Sequence, residues 1–372
     1  MKIASFNVEN LFERAAAMNL SSWFEGRDML NDYARFNALI AKPTYSATDK
    51  KALLEILKKH KLDKSGESAF FILRENRGRK LLRRATGSKP AEIVAGGRDQ
   101  WIGWLELRPE PVSAAAILNT ARVVKDVGAD VLAVVEAENR PGLLRFNNDV
   151  LPQVQATRYA HVMLIDGNDD RGIDVALLTR DGLPIVTIAS HVDDLDDAGR
   201  PVFSRDCAAY CVQLPAGKRL WVLVNHLKSK GFGAPAQSNA KRRKQAQRVR
   251  EIYDALVATD PLVAVVGDMN DTPDSDPLSP LLGNGSTLRD VSEHAAFDDG
   301  GRPGTYGSGT ASNKIDYVLC SPQLFARLQG GGIFRMGVWG GKNGTLFPHY
   351  DTVHKAEEAA SDHAAIWGEF DL

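Results

Sequence analysis

SAAAILNTARVVKDVGADVLAVVEAEN, residues 113–139, is the stretch whose reading decides the fold. Ser113 is a plausible N-cap, and Ile117, Ala121 and Val124 recur at helical spacing. Gly128 stands where a left-handed residue ends a helix. The continuous apolar run Val131–Val135 follows at once, the signature of a strand buried on both faces. Glu136 then stops it. A helix feeding a doubly buried strand is a building block of layered α/β proteins. Outward from this stretch, Lys2–Val8 is an alternating β-favourable run that ends in Asn7, Glu9 and Asn10. Further strands are predicted at His161–Ile165, Ile173–Thr179, Ala208–Leu214, Leu220–Val224, Leu262–Val266, Ile315–Leu319 and Ala364–Glu369. Gln245–Ala258 reads as a helix with Val249, Ile252, Ala255 and Leu256 on one stripe.

The chain has 372 residues, 44% hydrophobic and 25% charged, which excludes a disordered or collagen-like protein. Length alone suggests two domains, although a single α/β domain with an insertion reaches this size. No apolar run approaches the roughly 18 residues of a membrane span. Glu9, Asn10 and Glu13 interrupt the first segment where a signal peptide needs apolar residues, so the expected location is the cytoplasm. Cys207, Cys211 and Cys320 are too few for a disulfide framework and read as buried thiols. With 46 Lys plus Arg against 47 Asp plus Glu, the net charge is −1, and any affinity for nucleic acid has to come from local patches.

One section stands apart. Residues 15–110 carry an amphipathic helix at Lys50–Leu62 and apolar residues at Phe70–Leu73, Trp101 and Trp104. Residues 50–110 hold 15 Lys or Arg against 8 Asp or Glu. This predicts a folded, basic, mainly helical insertion of unassigned role within one domain spanning 1–372. The charges read equally well as a solvated helical face.

Polar groups cluster just past the ends of the apolar strands: Asn7 and Glu9, Glu136, Asn225 and His226, Asp268 and Asn270, Asp316, and Asp362 with His363. Singly, each reads as a turn former or a satisfied structural residue. Together they describe one sheet edge whose side chains converge on a crevice. In extended backbone Asp268 and Asn270 would point to one side, while the adjacent Asp362 and His363 would diverge unless a turn re-aims one.

Seven segments carrying these residues match a known family in order: SFNVENLF from Ser5, AVVEAEN from Ala133, RGIDVALL from Arg171, NHLKSK from Asn225, GDMNDTP from Gly267, KIDYVL from Lys314 and SDHA from Ser361. The chain thereby resembles the endonuclease/exonuclease/phosphatase superfamily over residues 1–14 and 113–372. The resemblance implies a four-layer αββα sandwich, two packed mixed sheets flanked by helices, with a metal-dependent phosphoesterase site at one edge. It implies Glu136 as principal Mg²⁺ ligand, assisted by Asn7 and Glu9, with Asp362 completing the acidic cluster. Asp268 and Asn270 would contact the scissile phosphate or the attacking water. His363 would be the essential histidine, oriented by Asp316, faced across the phosphate by Asn225 and His226. Asp174 would orient His226. The chemistry asks for the same residue types. Mg²⁺, or Mn²⁺ in its place, prefers oxygen ligands and uses few carboxylates plus substrate phosphate. Charge growing on the phosphoryl oxygens has to be neutralised, and a base has to take a proton from water. One departure is Val135, which stands where the family commonly has Gln; the expected loss is a hydrogen bond that tunes metal affinity. Arg171, Arg205 and Tyr306 are either phosphate-side contacts or ordinary packing residues.

Polymeric DNA is the first substrate expected. Lys241, Arg242, Arg243, Lys244, Arg248 and Arg250 place six basic groups in ten residues beside the Asn225/His226 segment. The Gly/Pro-containing Gly231–Ser238 would lie along a nucleic-acid strand, and the insertion, with Trp101 and Trp104, would extend that surface. The other reading of the basic run is a solvated helix start. Two alternatives remain: a phosphatase or phospholipase of the inositol phosphate or sphingomyelin type using the same site, and a non-catalytic nucleic-acid-binding module that kept the fold.

Overall fold

A computed structural model of the chain describes residues 1–9, 11–18, 20, 23–231 and 234–372. The chain forms two compact units, Met1–Phe12 with Val112–Leu372, and Glu13–Pro111. Among the described residues no helix is long and apolar enough to cross a membrane.

The first unit contains thirteen strands among its described residues: β1 Lys2–Asn7, β2 Val131–Ala137, β3 His161–Ile165, β4 Asp174–Thr179, β5 Ile185–Ala189, β6 Cys207–Gln213, β7 Arg219–His226, β8 Val263–Asp268, β9 Arg289–Asp290, β10 Phe297–Asp298, β11 Asp316–Cys320, β12 Leu328–Phe334 and β13 Ala365–Phe370. They form a seven-stranded mixed sheet in the order β10-β12-β13-β1-β2-β4-β3 and a six-stranded mixed sheet in the order β5-β6-β7-β8-β11-β9. The longest helices of this unit, among its described residues, are α1, Ala114–Val127, and α2, Pro235–Val257.

Side-chain alternation divides the apolar residues into three cores, the mark of four layers. Val131, Ala133 and Val135 of β2 point between the sheets and meet Val222 and Val224 of β7, Ala264 and Val266 of β8 and Val318 of β11. Leu132 and Val134 point the other way, under Ala121, Val124 and Val127 of α1. Leu223, Val263 and Val265 do the same on the second sheet, under Ala246, Val249, Ile252 and Tyr253 of α2. The αββα sandwich expected from the sequence is the observed fold. Gly128 ends α1 in the left-handed region, φ +62°, and all three cysteines are buried and free.

The helix predicted at Gln245–Ala258 starts ten residues earlier, because Pro235 supplies a favourable first helical residue. Pro235–Ser238, expected as loop, is therefore its first turn. Phe232 and Gly233 of that expected loop lie outside the described residues, as does Asn10.

The second unit holds helices Trp23–Ile40 and Ala47–Lys59, the latter with a Ser46/Asp49 capping box. It also holds three two-stranded ribbons, Glu13–Ala15 with Pro109–Pro111, Phe71–Glu75 with Gly103–Leu107, and Leu82–Arg83 with Glu92–Ile93. Trp101 is buried and donates its indole N–H to Tyr45 Oη at 2.8 Å, so it offers no ring for stacking. Trp104, expected to contribute burial, is 53% exposed opposite Arg74 on its ribbon.

Candidate active site

The register places the polar strand ends together. Asn7 of β1 lies opposite Val135 of β2. In the other sheet His226 pairs with Asp268, and Asp268 with Asp316. Gly267 makes that approach of β7 and β8 possible: it adopts φ +129°, and a Cβ there would fall 1.9 Å from the Asn225 carbonyl oxygen.

Three non-glycine residues at this edge adopt left-handed backbone, Glu9 (φ +52°), Glu136 (φ +65°) and Asn270 (φ +55°). Such conformations cost of order 1 kcal/mol or more each and persist where surrounding structure enforces them. Glu136 is the extra residue of a β-bulge: Val175 pairs with Val135 and Asp174 with Ala137, leaving Glu136 without a partner. A bulge breaks the alternation that would otherwise send this carboxylate with Leu132 and Val134 toward α1. Its Oε1 instead lies 3.7 Å from His226 Nε2.

Asn270 does not continue the extended strand as the sequence reading expected. Its N–H bonds back to Asp268 Oδ1 at 2.8 Å, and its side-chain amide donates to the Leu227 carbonyl at 3.1 Å. Asn7 donates to Asp268 Oδ2 at 3.4 Å while its own Oδ1 accepts from Glu9 N at 3.1 Å. Glu9 Oε2 in turn accepts from the Asp362 N–H at 3.0 Å, tying the first strand end to the last.

The histidines are held differently. His363 Nδ1 bonds Asp316 Oδ2 at 2.8 Å, with Nε2 4.0 Å from Asp268 Oδ2 and 3.8 Å from Asp362 Oδ1. The adjacent Asp362 and His363 therefore turn toward each other instead of diverging. Tyr306 packs its ring 4.9 Å from the His363 ring. Burial alone would depress the imidazolium of His363, but Asp316, Asp362 and Asp268 outweigh it and hold its pKa well above the ordinary value. His226 has no such partner. Its Nε2 stands 3.6 Å from Asp268 Oδ2, its Nδ1 is buried without a hydrogen bond, and burial together with Arg205 and Arg171 keeps it well below the usual histidine range. Asp268 moves up, because it is buried and faces the Asp316 carboxylate.

Two expected partners are not brought to this cluster. Asp174 does not orient His226; its Oδ1 accepts from Gly167 N at 2.8 Å, and burial raises its pKa to about 7. Asn225 alternates away from His226 onto the side of Leu223, whose carbonyl its amide contacts at 3.0 Å.

The basic run of α2 is spent on ion pairs. Arg242 is fully buried and reaches Asp271 at 2.8 Å and the Lys228 carbonyl at 2.6 Å. Arg243 pairs with Asp276, Lys244 with Asp196, Arg248 with Asp194 and Glu251, and Arg250 with Asp254. Arg242 and Arg243 are thus tied to carboxylates rather than presented to a polyanion. Arg171 and Arg205 meet at a residue the sequence reading passed over, Asp169: Arg171 binds both its oxygens, at 2.8 and 2.6 Å, and Arg205 Nε lies 2.9 Å away. Burial would raise Asp169, but the two guanidiniums hold it at about 2. Thr305 was also unforeseen. Its hydroxyl donates to Asp316 Oδ2 at 2.6 Å, fixing the carboxylate that holds His363.

The donor set fits a hard divalent cation: carboxylate and amide oxygens with imidazoles behind them, no thiol, and one Asp316 oxygen buried without a hydrogen bond. Ligand atoms of Asp268, Asp316 and His363 lie within 4.8 Å of one another, the one such group among the described residues.

Residues 112–297 match the endonuclease/exonuclease/phosphatase family. The chain belongs to that family, one of hydrolytic phosphoesterases that are generally dependent on a divalent metal. No curated protein matches it in sequence. Among solved structures, it is similar to an endonuclease/exonuclease/phosphatase family protein from Bacteroides thetaiotaomicron (19% identity, 69% of this chain and 89% of that one, TM-score 0.50). Two others are a mannosyl-6-phosphatase from Bacteroides thetaiotaomicron VPI-5482 (18%, 69% and 90%, 0.49) and the human Nocturnin catalytic domain with bound sulfate (13%, 70% and 88%, 0.49). The first of these likenesses supports the fold.

Proposed function

We propose that the protein is a Mg²⁺-dependent phosphodiesterase that cleaves nucleic acid, with DNA the first substrate to test. The observation that carries this reading is the Asp316–His363 hydrogen bond, with Asp268 beside it and His226 lying between Asp268 of one sheet and Glu136 of the other. Glu136 and Asn7, with Glu9 and Asp362, are the residues to hold the cation. When bound, it supplies charge neutralisation for the phosphoryl group and eases deprotonation of water.

The chain's own residues do the rest. Asp316 accepts from Nδ1 of His363 and so leaves Nε2 to donate to a phosphoryl oxygen. Asp268, whose burial makes it a stronger base than a surface carboxylate, takes the proton of the attacking water. His226 stays neutral beside it, so the acid work falls to the charged His363 and the base work to Asp268. Asn270 keeps the loop after β8 against Leu227, and Tyr306 packs its tilted ring against His363. Arg171, Arg205 and Lys241 stand on the substrate side. A module that only binds nucleic acid has no use for a buried aspartate–imidazole pair.

The test is a panel of plasmid, single-stranded DNA, RNA, an abasic duplex, an inositol phosphate and sphingomyelin vesicles, each with Mg²⁺, with Mn²⁺ and with excess EDTA. Cation-dependent cleavage of a nucleic acid, abolished in Glu136→Gln, is the expected result. Turnover confined to the inositol phosphate or the vesicles would move the reading to a phosphatase or phospholipase. Full activity in EDTA would overturn it.

A further inference from the structure

Five of the six cations between Lys241 and Arg250 are held by carboxylates, whereas the second unit carries cations that are not. Residues 74–89 hold seven Lys or Arg and one acid, Glu75. Arg74 pairs with Glu106, Arg83 with Glu92 and Arg84 with Glu75. Arg77, Arg79, Lys80 and Lys89 are exposed and have no carboxylate partner among the described residues. Arg79 reaches the backbone carbonyl of Asp99, at 3.4 Å.

Backbone pairing gathers these groups. It sets Arg74 opposite Trp104, so that both side chains leave the same face of their ribbon. The pairing continues past the ribbon: the Asn76 N–H donates to the Ile102 carbonyl at 2.9 Å, and the Ile102 N–H to the Arg79 carbonyl at 3.2 Å. Two residues on, the Val94 N–H donates to the Leu81 carbonyl at 2.9 Å. Between these bonds stands Lys80, which lines a cavity of about 380 Å³ with Leu82, Arg83, Arg84, Thr86 and Val94. Three cations and a hydroxyl thus border a space in the size range of small-ligand clefts, about 300–1,000 Å³. Trp104, Ile102 and Val94 are exposed along this pairing.

An acidic bilayer and a nucleic acid would both match the charge, and the turns decide between them. The tight turns Asn76–Arg79 and Thr86–Lys89 carry Arg77-Gly78 and Gly87-Ser88 at their tips, with no apolar side chain there to enter a bilayer. The exposed indole stands instead on a ribbon face, opposite an arginine. Unpaired bases stack on such a ring while their phosphates meet the cations around it.

We infer that the ribbons of the second unit form an interface for single-stranded nucleic acid, in which the cavity bordered by Lys80, Arg83 and Arg84 takes a backbone phosphate and Trp104 takes a base. The choice of ligand rests on the phosphodiesterase reading, but binding here needs neither metal nor hydrolysis.

Fluorescence anisotropy on the full chain in EDTA tests it, with a labelled oligothymidylate of about 15 nucleotides and a duplex of equal length. Wild type is expected to bind the single strand more tightly, because duplex bases are already stacked and paired. Trp104→Ala should weaken single-strand binding about tenfold, and Trp104→Phe should keep most of the affinity. Arg77→Gln/Lys80→Gln/Lys89→Gln should lower the slope of log K against log salt by about two, at ~0.7 per lost phosphate contact. All four positions are exposed, and circular dichroism separates loss of contact from loss of fold. Unchanged affinity in Trp104→Ala, an unchanged salt slope in the triple variant, or equal affinity for the duplex would each overturn the interface. So would binding to phosphatidylserine vesicles without affinity for the oligonucleotide. Wild type that binds the strand in EDTA but cleaves no nucleic acid in Mg²⁺ or Mn²⁺ would sink the phosphodiesterase reading and leave the interface standing. Cleavage with binding indifferent to these substitutions would sink the interface alone.

Discussion

Two sets of charged residues look alike in the sequence and behave oppositely in the fold. The acids and histidines that follow the apolar strands, scattered from Asn7 to His363, converge until His226, Asp268 and His363 have atoms about 4 Å or less from a neighbouring charged group. The six cations between Lys241 and Arg250 fall within ten residues, yet five disperse into separate ion pairs with Asp271, Asp276, Asp196, Asp194 and Asp254. Strand ends in a layered sheet point at one place whatever their separation along the chain. A helix turns its side chains through all directions within one turn, so density in sequence is no measure of density in space. Charge therefore becomes a site where the backbone aims it and where no local counter-ion is within reach.

The sharpest way to break this comparison is to delete one member of each set. His363→Ala should lower turnover of a phosphodiester roughly ten-thousand-fold, because proton donation and electrostatic stabilisation are lost together, while circular dichroism stays native. Retention of turnover within tenfold would mean the convergence is structural. Arg242→Met should act on stability instead. It leaves Asp271 buried beside Lys230 alone, a loss of about 3–5 kcal/mol by chemical denaturation. Arg243→Gln, on an exposed pair, should change stability by less than about 1 kcal/mol and leave the salt dependence of nucleic-acid binding unaltered. A clear flattening of that dependence would return the helix to the binding surface.

The same contrast explains what could be read in advance. The sandwich was legible because its strands are continuous apolar runs, and the catalytic candidates because Glu136, His226, Asp268 and Asp316 stand at the ends of those runs. The direction of each side chain was not. Asn225 and His226 are neighbours in sequence and on opposite faces of β7, and the bulge that redirects Glu136 has no glycine or proline to announce it. Asp169, Lys228 and Thr305 sit in loops, where periodicity carries no signal. The counter-ions of α2 lie up to 54 residues away, from Asp194 for Arg248 to Asp276 for Arg243. In the second unit, Lys50–Leu62 announced a helix by its apolar stripe and is seen at Ala47–Lys59, but Trp23–Ile40 mixes Asp28, Asn31 and Asp32 into its sequence and escaped notice. Trp101 and Trp104 stand three residues apart at 2% and 53% exposure, because Trp101 precedes the strand Gly103–Leu107 and is tied to Tyr45, whereas Trp104 lies on that strand opposite Arg74.

The acid limb of the stability curve tests the cationic side of the comparison. Asp169 is held at about 2 by Arg205 and Arg171, below its value of about 3.8 in the unfolded chain, so the native state favours its ionised form. A depressed carboxylate of this kind stabilises above the unfolded value and loses that contribution as pH falls from about 4 toward 2. The loss should amount to about 2 kcal/mol of unfolding free energy. Asp169→Asn should be destabilised at neutral pH, since Arg205 then stays buried without its carboxylate, and should show a correspondingly flatter acid limb between pH 4 and 2. Urea denaturation at half-unit pH intervals reads both. An unchanged acid limb would mean that the two arginines are neutralised by something other than Asp169.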